Sequence, residues 1–152
     1  MVPTRPTILV IDDCTDIARI ISRFLEGAFF RTQIANGGIA GREMMSASKP
    51  DAIVLDLMMP GMGGAEFLHA LRRDPDTADI PVVLVSARVG HHGTHFRSEV
   101  GADFVVGKPF TRQQIVGAVR TVLAVKAGVA PEALPLRIDA KSRLAHQLGL
   151  IR

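Results

Sequence analysis

Residues 52–61 read Ala52-Ile53-Val54-Leu55-Asp56-Leu57-Met58-Met59-Pro60-Gly61. A short, near-continuous aliphatic run that ends in a carboxylate and is then broken by proline and glycine has the pattern of a strand buried on both faces. The expected strand covers residues 51–57. Two other stretches repeat the arrangement: Ile8-Leu9-Val10-Ile11 runs into Asp12-Asp13, and Phe104-Val105-Val106-Gly107 runs into Lys108-Pro109. Three carboxylates and an ammonium at the ends of hydrophobic strands make a poor core. If the strands are parallel neighbours, their carboxyl ends open on one crevice, where open α/β sheets bind ligands. Clustered carboxylates repel and raise one another's pKa unless a cation neutralises them. The constellation therefore suits a divalent cation and a phosphoryl group.

Outward from that strand the chain alternates. Strands are expected at 7–13, 29–35, 51–57, 80–87 and 103–107. Helices are expected at 16–27, 38–47 and 65–73, the first with Ile17, Ile20, Ile21, Phe24 and Leu25 on its inner stripe. A better-marked helix begins at Thr111 and Gln114, a capping-box pair. It carries Ile115, Val119, Val122 and Leu123 at helical spacing and is closed by Gly128. Parallel strands need crossover connections, so five strands alternating with helices predict a doubly wound parallel sheet with helices on both faces. Residues 88–100 fit worst: Gly90 and Gly93 interrupt them, and only Phe96 and Val100 repeat at helical spacing. The domain is expected over residues 7–128. A short arm (1–6) precedes it, and a linker with a short amphipathic helix (129–152) comes after it.

The chain has 152 residues, 47% of them hydrophobic, enough for one domain with a sizeable core. Its net charge is +3, with fourteen basic against thirteen acidic residues through position 128 and four against two beyond. Neither part is a concentrated basic footprint, and without Trp or Tyr only phenylalanine could stack on bases, which argues against direct nucleic-acid binding. One cysteine, Cys14, permits no internal disulfide and favours a reducing compartment. The apolar run at 8–11 is too short for a signal peptide or membrane span. A cytoplasmic protein without membrane insertion is expected.

Taken together, these residues resemble the receiver domain of two-component response regulators. The acid pair Asp12-Asp13, the stretch Leu55 to Gly61 around Asp56, Ser86-Ala87 after the fourth strand, and Gly101-Ala102-Asp103 leading to Lys108-Pro109-Phe110 carry the resemblance, over about residues 7–126. It implies a flavodoxin-like strand order 2-1-3-4-5 and a magnesium ion, replaceable by manganese. Asp13, Asp56 and the Met58 carbonyl would bind that ion directly, and Asp12 through a water. Asp56 would accept a phosphoryl group from phosphohistidine, with Lys108 and Ser86 contacting phosphoryl oxygens. The resemblance also implies a cis Lys108–Pro109 peptide. The partners implied are a sensor histidine kinase or histidine phosphotransfer protein and a downstream target, with a homodimer left open. Such a protein receives and loses a phosphoryl group and does not turn over an external substrate.

Residues 129–152 are too few for a helix-turn-helix or cyclase domain, so the expectation is a stand-alone regulator. The alternatives are a phosphorylation-independent binding module, or a fragment of a hybrid kinase or larger regulator. In one respect the chain departs from the family, which carries Tyr or Phe three residues before the lysine where Val105 stands here. Phe104, one place earlier, should point to the opposite face. Phosphorylation is therefore expected to act through Ser86 on an order–disorder change in residues 88–100. Weaker features have plainer readings. His91, His92 and His95 lack partners at zinc-ligand spacing, Cys14 is a small residue in a tight loop, and the methionines fill core gaps.

Overall fold

The computed structural model describes residues 4–87 and 101–129. Among the described residues nine elements occur in order: β1 (Thr7–Ile11), α1 (Thr15–Glu26), β2 (Arg31–Ala35), α2 (Gly38–Ala47), β3 (Ala52–Asp56), α3 (Gly64–Arg73), β4 (Val82–Ser86), β5 (Phe104–Gly107) and α4 (Arg112–Lys126). The five strands form one sheet in the order β2-β1-β3-β4-β5, and every neighbouring pair is parallel. The expected architecture and strand order both hold. The residue stretch 88–100, with its histidines and the anticipated order–disorder change, lies outside the described residues. So does the tail helix expected beyond residue 129.

Strand periodicity builds two cores. Ile8, Val10, Val54, Val83, Val85, Phe104 and Val106 face one layer, covered by Ala18, Ile21 and Leu25 of α1 and by Ile115, Val119 and Val122 of α4. Leu9, Ile11, Ile53, Leu55, Leu84 and Val105 face the other, covered by Phe67, Leu68 and Leu71 of α3. Phe104 and Val105 therefore do lie on opposite faces, and both are buried. Burying each such aliphatic side chain contributes about 1.5–3 kcal/mol, which is why β1, β3 and β4 carry almost unbroken apolar runs.

α4 starts on the anticipated capping box. The Thr111 side chain accepts the Gln114 amide at 3.2 Å, and Gln114 accepts the Thr111 amide at 2.9 Å. Two expectations need correction. Ile20 belongs to the periodic stripe of α1, yet it is 45% exposed, because Ala18 and Ser22 take the buried positions beside Ile21 and Leu25. Phe29 lies outside β2, in the turn before it, with a backbone φ of +70°.

Helix α2 is held differently. Its only fully buried residues are Gly38 and Gly41. A methyl group on Gly41 would stand 2.6 Å from Ile11 Cδ1, and one on Gly38 would meet Met62 at 2.9 Å. Backbone contact of this kind brings α2 against the end of β1 and against the loop after β3.

Candidate functional site

The sheet register assembles the site. Ile11 pairs with Leu55, so the next residues, Asp12 and Asp56, leave adjacent strand ends together. Asp56 pairs with Val85 and Ser86 with Gly107, which sets Lys108 one step beyond β5. Two further ladder bonds fix these ends: the Leu57 amide donates to the Val85 carbonyl at 3.2 Å, and the Lys108 amide to the Ser86 carbonyl at 3.0 Å. The Lys108–Pro109 peptide is cis, as anticipated.

The three carboxylates converge. Asp12, Asp13 and Asp56 each present an oxygen within 4.8 Å of the others. Asp12 and Asp56 are buried, whereas Asp13 is exposed at the rim. Lys108 Nζ lies 3.3 Å from Asp56 Oδ1 and 3.8 Å from Asp12 Oδ2. These contacts are longer than the roughly 2.7–2.9 Å of a tight charge-assisted hydrogen bond, so the ammonium does not saturate either carboxylate.

Asp12 records the resulting imbalance. Its Oδ1 accepts the Cys14 amide at 2.9 Å, whereas its Oδ2 is buried with no hydrogen-bond partner. Burial pushes the Asp12 carboxyl up to about 6. The Asp56 and Asp13 charges push the same way, against the Cys14 amide and the Lys108 charge. Three carboxylates facing one ammonium leave two negative charges unbalanced. An all-oxygen donor set with an orphaned buried oxygen and that excess charge fits a hard divalent cation. These residues are positioned to hold one metal ion.

The remaining predicted residues sit around this centre. Ser86 ends β4 and is fully buried. Met58 lies two residues past β3, in the loop leading to α3, and its side chain is 54% exposed. Cys14, the residue preceding α1, is an exposed free thiol.

Two supports escaped sequence reasoning. Gly64 opens α3 directly against the site: a Cβ there would come within 2.3 Å of the Asp56 carbonyl oxygen and 2.7 Å of Leu57 Cα. The Gly64 amide donates to the Leu57 carbonyl at 3.0 Å. The doubled glycine at 63–64, just past the broken loop, was the available signal. The other support is Arg72, whose guanidinium donates to the carbonyls of Gly101, Ala78 and Ile80 and to Asp103 Oδ2. The same Asp103 oxygen accepts the Val82 amide at 2.7 Å. This clamp ties the end of α3 to the starts of β4 and β5, and no local pattern announces an arginine and an aspartate thirty-one residues apart.

Comparison with known proteins agrees with this geometry. The family model for the response regulator receiver domain matches residues 8–120. The phosphate regulon transcriptional regulatory protein PhoB of Pseudomonas aeruginosa is 33% identical over 132 residues, 87% of this chain and 57% of that protein. The DNA-binding dual master transcriptional regulator RpaA of Synechocystis is 38% identical over 118 residues, 78% of this chain and 49% of that protein. The chain thus spans about half the length of these curated relatives. Among solved structures, the Francisella response regulator 1452 receiver domain superposes with a TM-score of 0.73 at 27% identity, covering 80% of this chain and 98% of that one. With a carboxylate triad converging at the carboxyl end of a 2-1-3-4-5 sheet and a family match over most of its length, the chain belongs to the receiver domains of two-component response regulators.

Proposed function

We propose that Asp56 is the phosphoacceptor of this receiver, that magnesium is the ion its carboxylates take, and that the phosphoryl donor is a phosphohistidine on a sensor kinase or phosphotransfer protein. The observation that carries the reading is the buried Asp12 Oδ2 beside Asp56, which has no hydrogen-bond partner and lies in a cluster with two unbalanced negative charges. Bound there, the ion would offset charge on the transferring phosphoryl group. Asp13, Asp56 and the Met58 carbonyl are the proposed direct ligands, with Asp12 acting through a water. Manganese would substitute.

An Asp56 carboxylate oxygen attacks phosphorus, the phosphorus–nitrogen bond to the donor imidazole breaks, and an acyl phosphate forms. Lys108, already 3.3 Å from Asp56 Oδ1, transfers its attraction from the carboxylate to a phosphoryl oxygen. Ser86, buried at the end of β4 and paired in register with Gly107 of β5, is the proposed hydroxyl contact to another phosphoryl oxygen. The acyl phosphate then signals through altered contacts with a downstream target and is lost by hydrolysis within the same site. Among the described residues no helix is long and apolar enough to cross a membrane. The proposed compartment is the cytoplasm, shared with the catalytic part of the donor kinase.

Intact-mass analysis after incubation with acetyl phosphate tests the reading. One added phosphoryl group is expected with magnesium and none with a chelator. Asp56→Asn should abolish it and Asp13→Ala nearly so. Full labelling of the Asp56→Asn chain, or labelling indifferent to chelation, would overturn the assignment. Complete absence of labelling would leave a phosphorylation-independent binding module.

A further inference from the structure

Helix α2 meets the rest of the fold without a buried side chain. Its two buried residues are Gly38 and Gly41, three apart and so on one face. Ala40, Met44 and Met45 are only partly buried against the core beneath, and Ile39 is 65% exposed. A helix with so little apolar burial is weakly held, so the backbone contacts at its two glycines set where it sits.

Both glycines rest on segments that lead into or out of the carboxylate cluster. Gly41 lies on Ile11, the residue before Asp12 and Asp13. A Cβ at Gly41 would stand 2.6 Å from Ile11 Cδ1 and 3.3 Å from both Ile11 Cγ1 and Phe67 Cε2. Ile11 is 0% and Phe67 1% exposed, so neither has free space to move into. Gly38 lies on Met62, in the loop that leaves Asp56 and carries Met58. A Cβ there would meet Met62 Cγ at 2.9 Å and both Met62 Cβ and Sδ at 3.0 Å. The strand leading into the helix is tied to the same place, because the Asp12 amide donates to the Ala35 carbonyl at 3.2 Å. One helix thus bears on the segment holding Asp12 and Asp13 and on the loop that follows Asp56. Independently of the helix, the Asp12 Oδ2 atom buried at this junction has no hydrogen-bond partner, which points to a cation held between the two segments.

We infer that α2 is a positioning element for the metal ion, with Gly41 and Gly38 as its positioning residues. Their missing side chains let the helix hold the Asp12–Asp13 segment and the Asp56–Met62 loop at the separation the cation requires. The inference rests on the reading of the carboxylates as a magnesium site. Their oxygens already lie within 4.8 Å of one another, and magnesium tolerates little departure from its ligand geometry. A methyl group at either glycine displaces one ligand-bearing segment relative to the other, so its cost falls on metal affinity. Helix propensity alone argues the other way, since glycine within a helix is less favourable than alanine.

Magnesium titration of the whole chain by calorimetry, alongside urea unfolding with a chelator present, tests this. Gly41→Ala should remain folded and lose about tenfold or more in magnesium affinity. Ile11→Val removes the Cδ1 atom that the new methyl meets, so Gly41→Ala with Ile11→Val should bind magnesium more tightly than Gly41→Ala alone. Gly38→Ala, opposed by the flexible Met62, should lower the affinity in the same direction; if Gly41→Ala does not fold, this variant decides. Leu71→Ala, about two turns along α3 from Gly64, should lower stability and leave the affinity unchanged, which separates positioning from a general loosening of the core. A folded Gly41→Ala or Gly38→Ala chain with wild-type affinity overturns the inference. So does a double variant that binds no better than Gly41→Ala, or a Leu71→Ala chain that loses as much affinity as the glycine variants. A wild-type chain that takes up no magnesium overturns the metal reading itself, and this inference with it.

Discussion

Replacing Asp12 by asparagine should stabilise the metal-free protein at neutral pH, although it removes a native charge. The Asp12 carboxyl is 1% exposed and burial raises its pKa from 3.8 to about 6. The folded protein therefore binds more protons than the unfolded chain between those values, and stability falls as pH rises from about 4 through 6. At about 1.4 kcal/mol per pKa unit the full penalty above pH 6 approaches about 3 kcal/mol. Below about pH 4, where both states are protonated, it vanishes. Asparagine keeps an acceptor for the Cys14 amide, so the bond made by Oδ1 survives. Urea unfolding with a chelator present, at about pH 4 and about pH 7.5, isolates the effect as the difference between wild type and Asp12→Asn. That difference should be small in acid and reach about 1–3 kcal/mol in favour of the variant at neutral pH. Saturating magnesium should reverse the order, since only wild type keeps the full donor set. A difference that is the same at both pH values, or a variant less stable throughout, would refute the reasoning.

Three further outcomes concern the supports of the site. Lys108→Ala removes the one ammonium beside Asp56 and Asp12; phosphoryl incorporation from acetyl phosphate should fall by at least about tenfold, while metal affinity, read by titration calorimetry, holds or rises. Gly64→Ala sets a methyl group within 2.3 Å of the Asp56 carbonyl; it should cost about 1–3 kcal/mol in denaturant unfolding and weaken magnesium binding together. Arg72→Met leaves the Asp103 carboxylate without its cation and three carbonyls without their donor; a loss of about 2–4 kcal/mol in the same assay is expected, with the unfolding slope unchanged.

Much of this architecture is legible in the sequence, for a physical reason. The sheet is parallel and covered on both faces, so its inner strands had to be short unbroken aliphatic runs, and each polar residue ending one stood out. Asp12, Asp56 and Lys108 were readable because a charge directly after a buried aliphatic strand contributes nothing to the core. The capping box of α4 was equally plain, since Thr111 and Gln114 act within one turn. What resisted reading depends on contacts distant in sequence. Ile20 satisfies the helical stripe, but α1 buries Ala18 and Ser22 beside Ile21 and Leu25 and leaves it exposed. Helix α2 is seated by the absence of side chains at Gly38 and Gly41, and hydrophobic periodicity does not register an absent group. Phe29 looks like the first residue of a strand by composition, and only the backbone reveals the left-handed turn.

The central claim is that one aspartate, Asp56, carries the phosphoryl group. Borohydride reduction of the chain after acetyl phosphate and magnesium treatment converts an acyl phosphate into homoserine, and peptide sequencing by mass spectrometry then locates it. Homoserine is expected at position 56 alone, present with magnesium and lost with a chelator. Homoserine at Asp12, Asp13 or any other carboxylate, or a phosphorylated chain that yields none, would contradict it.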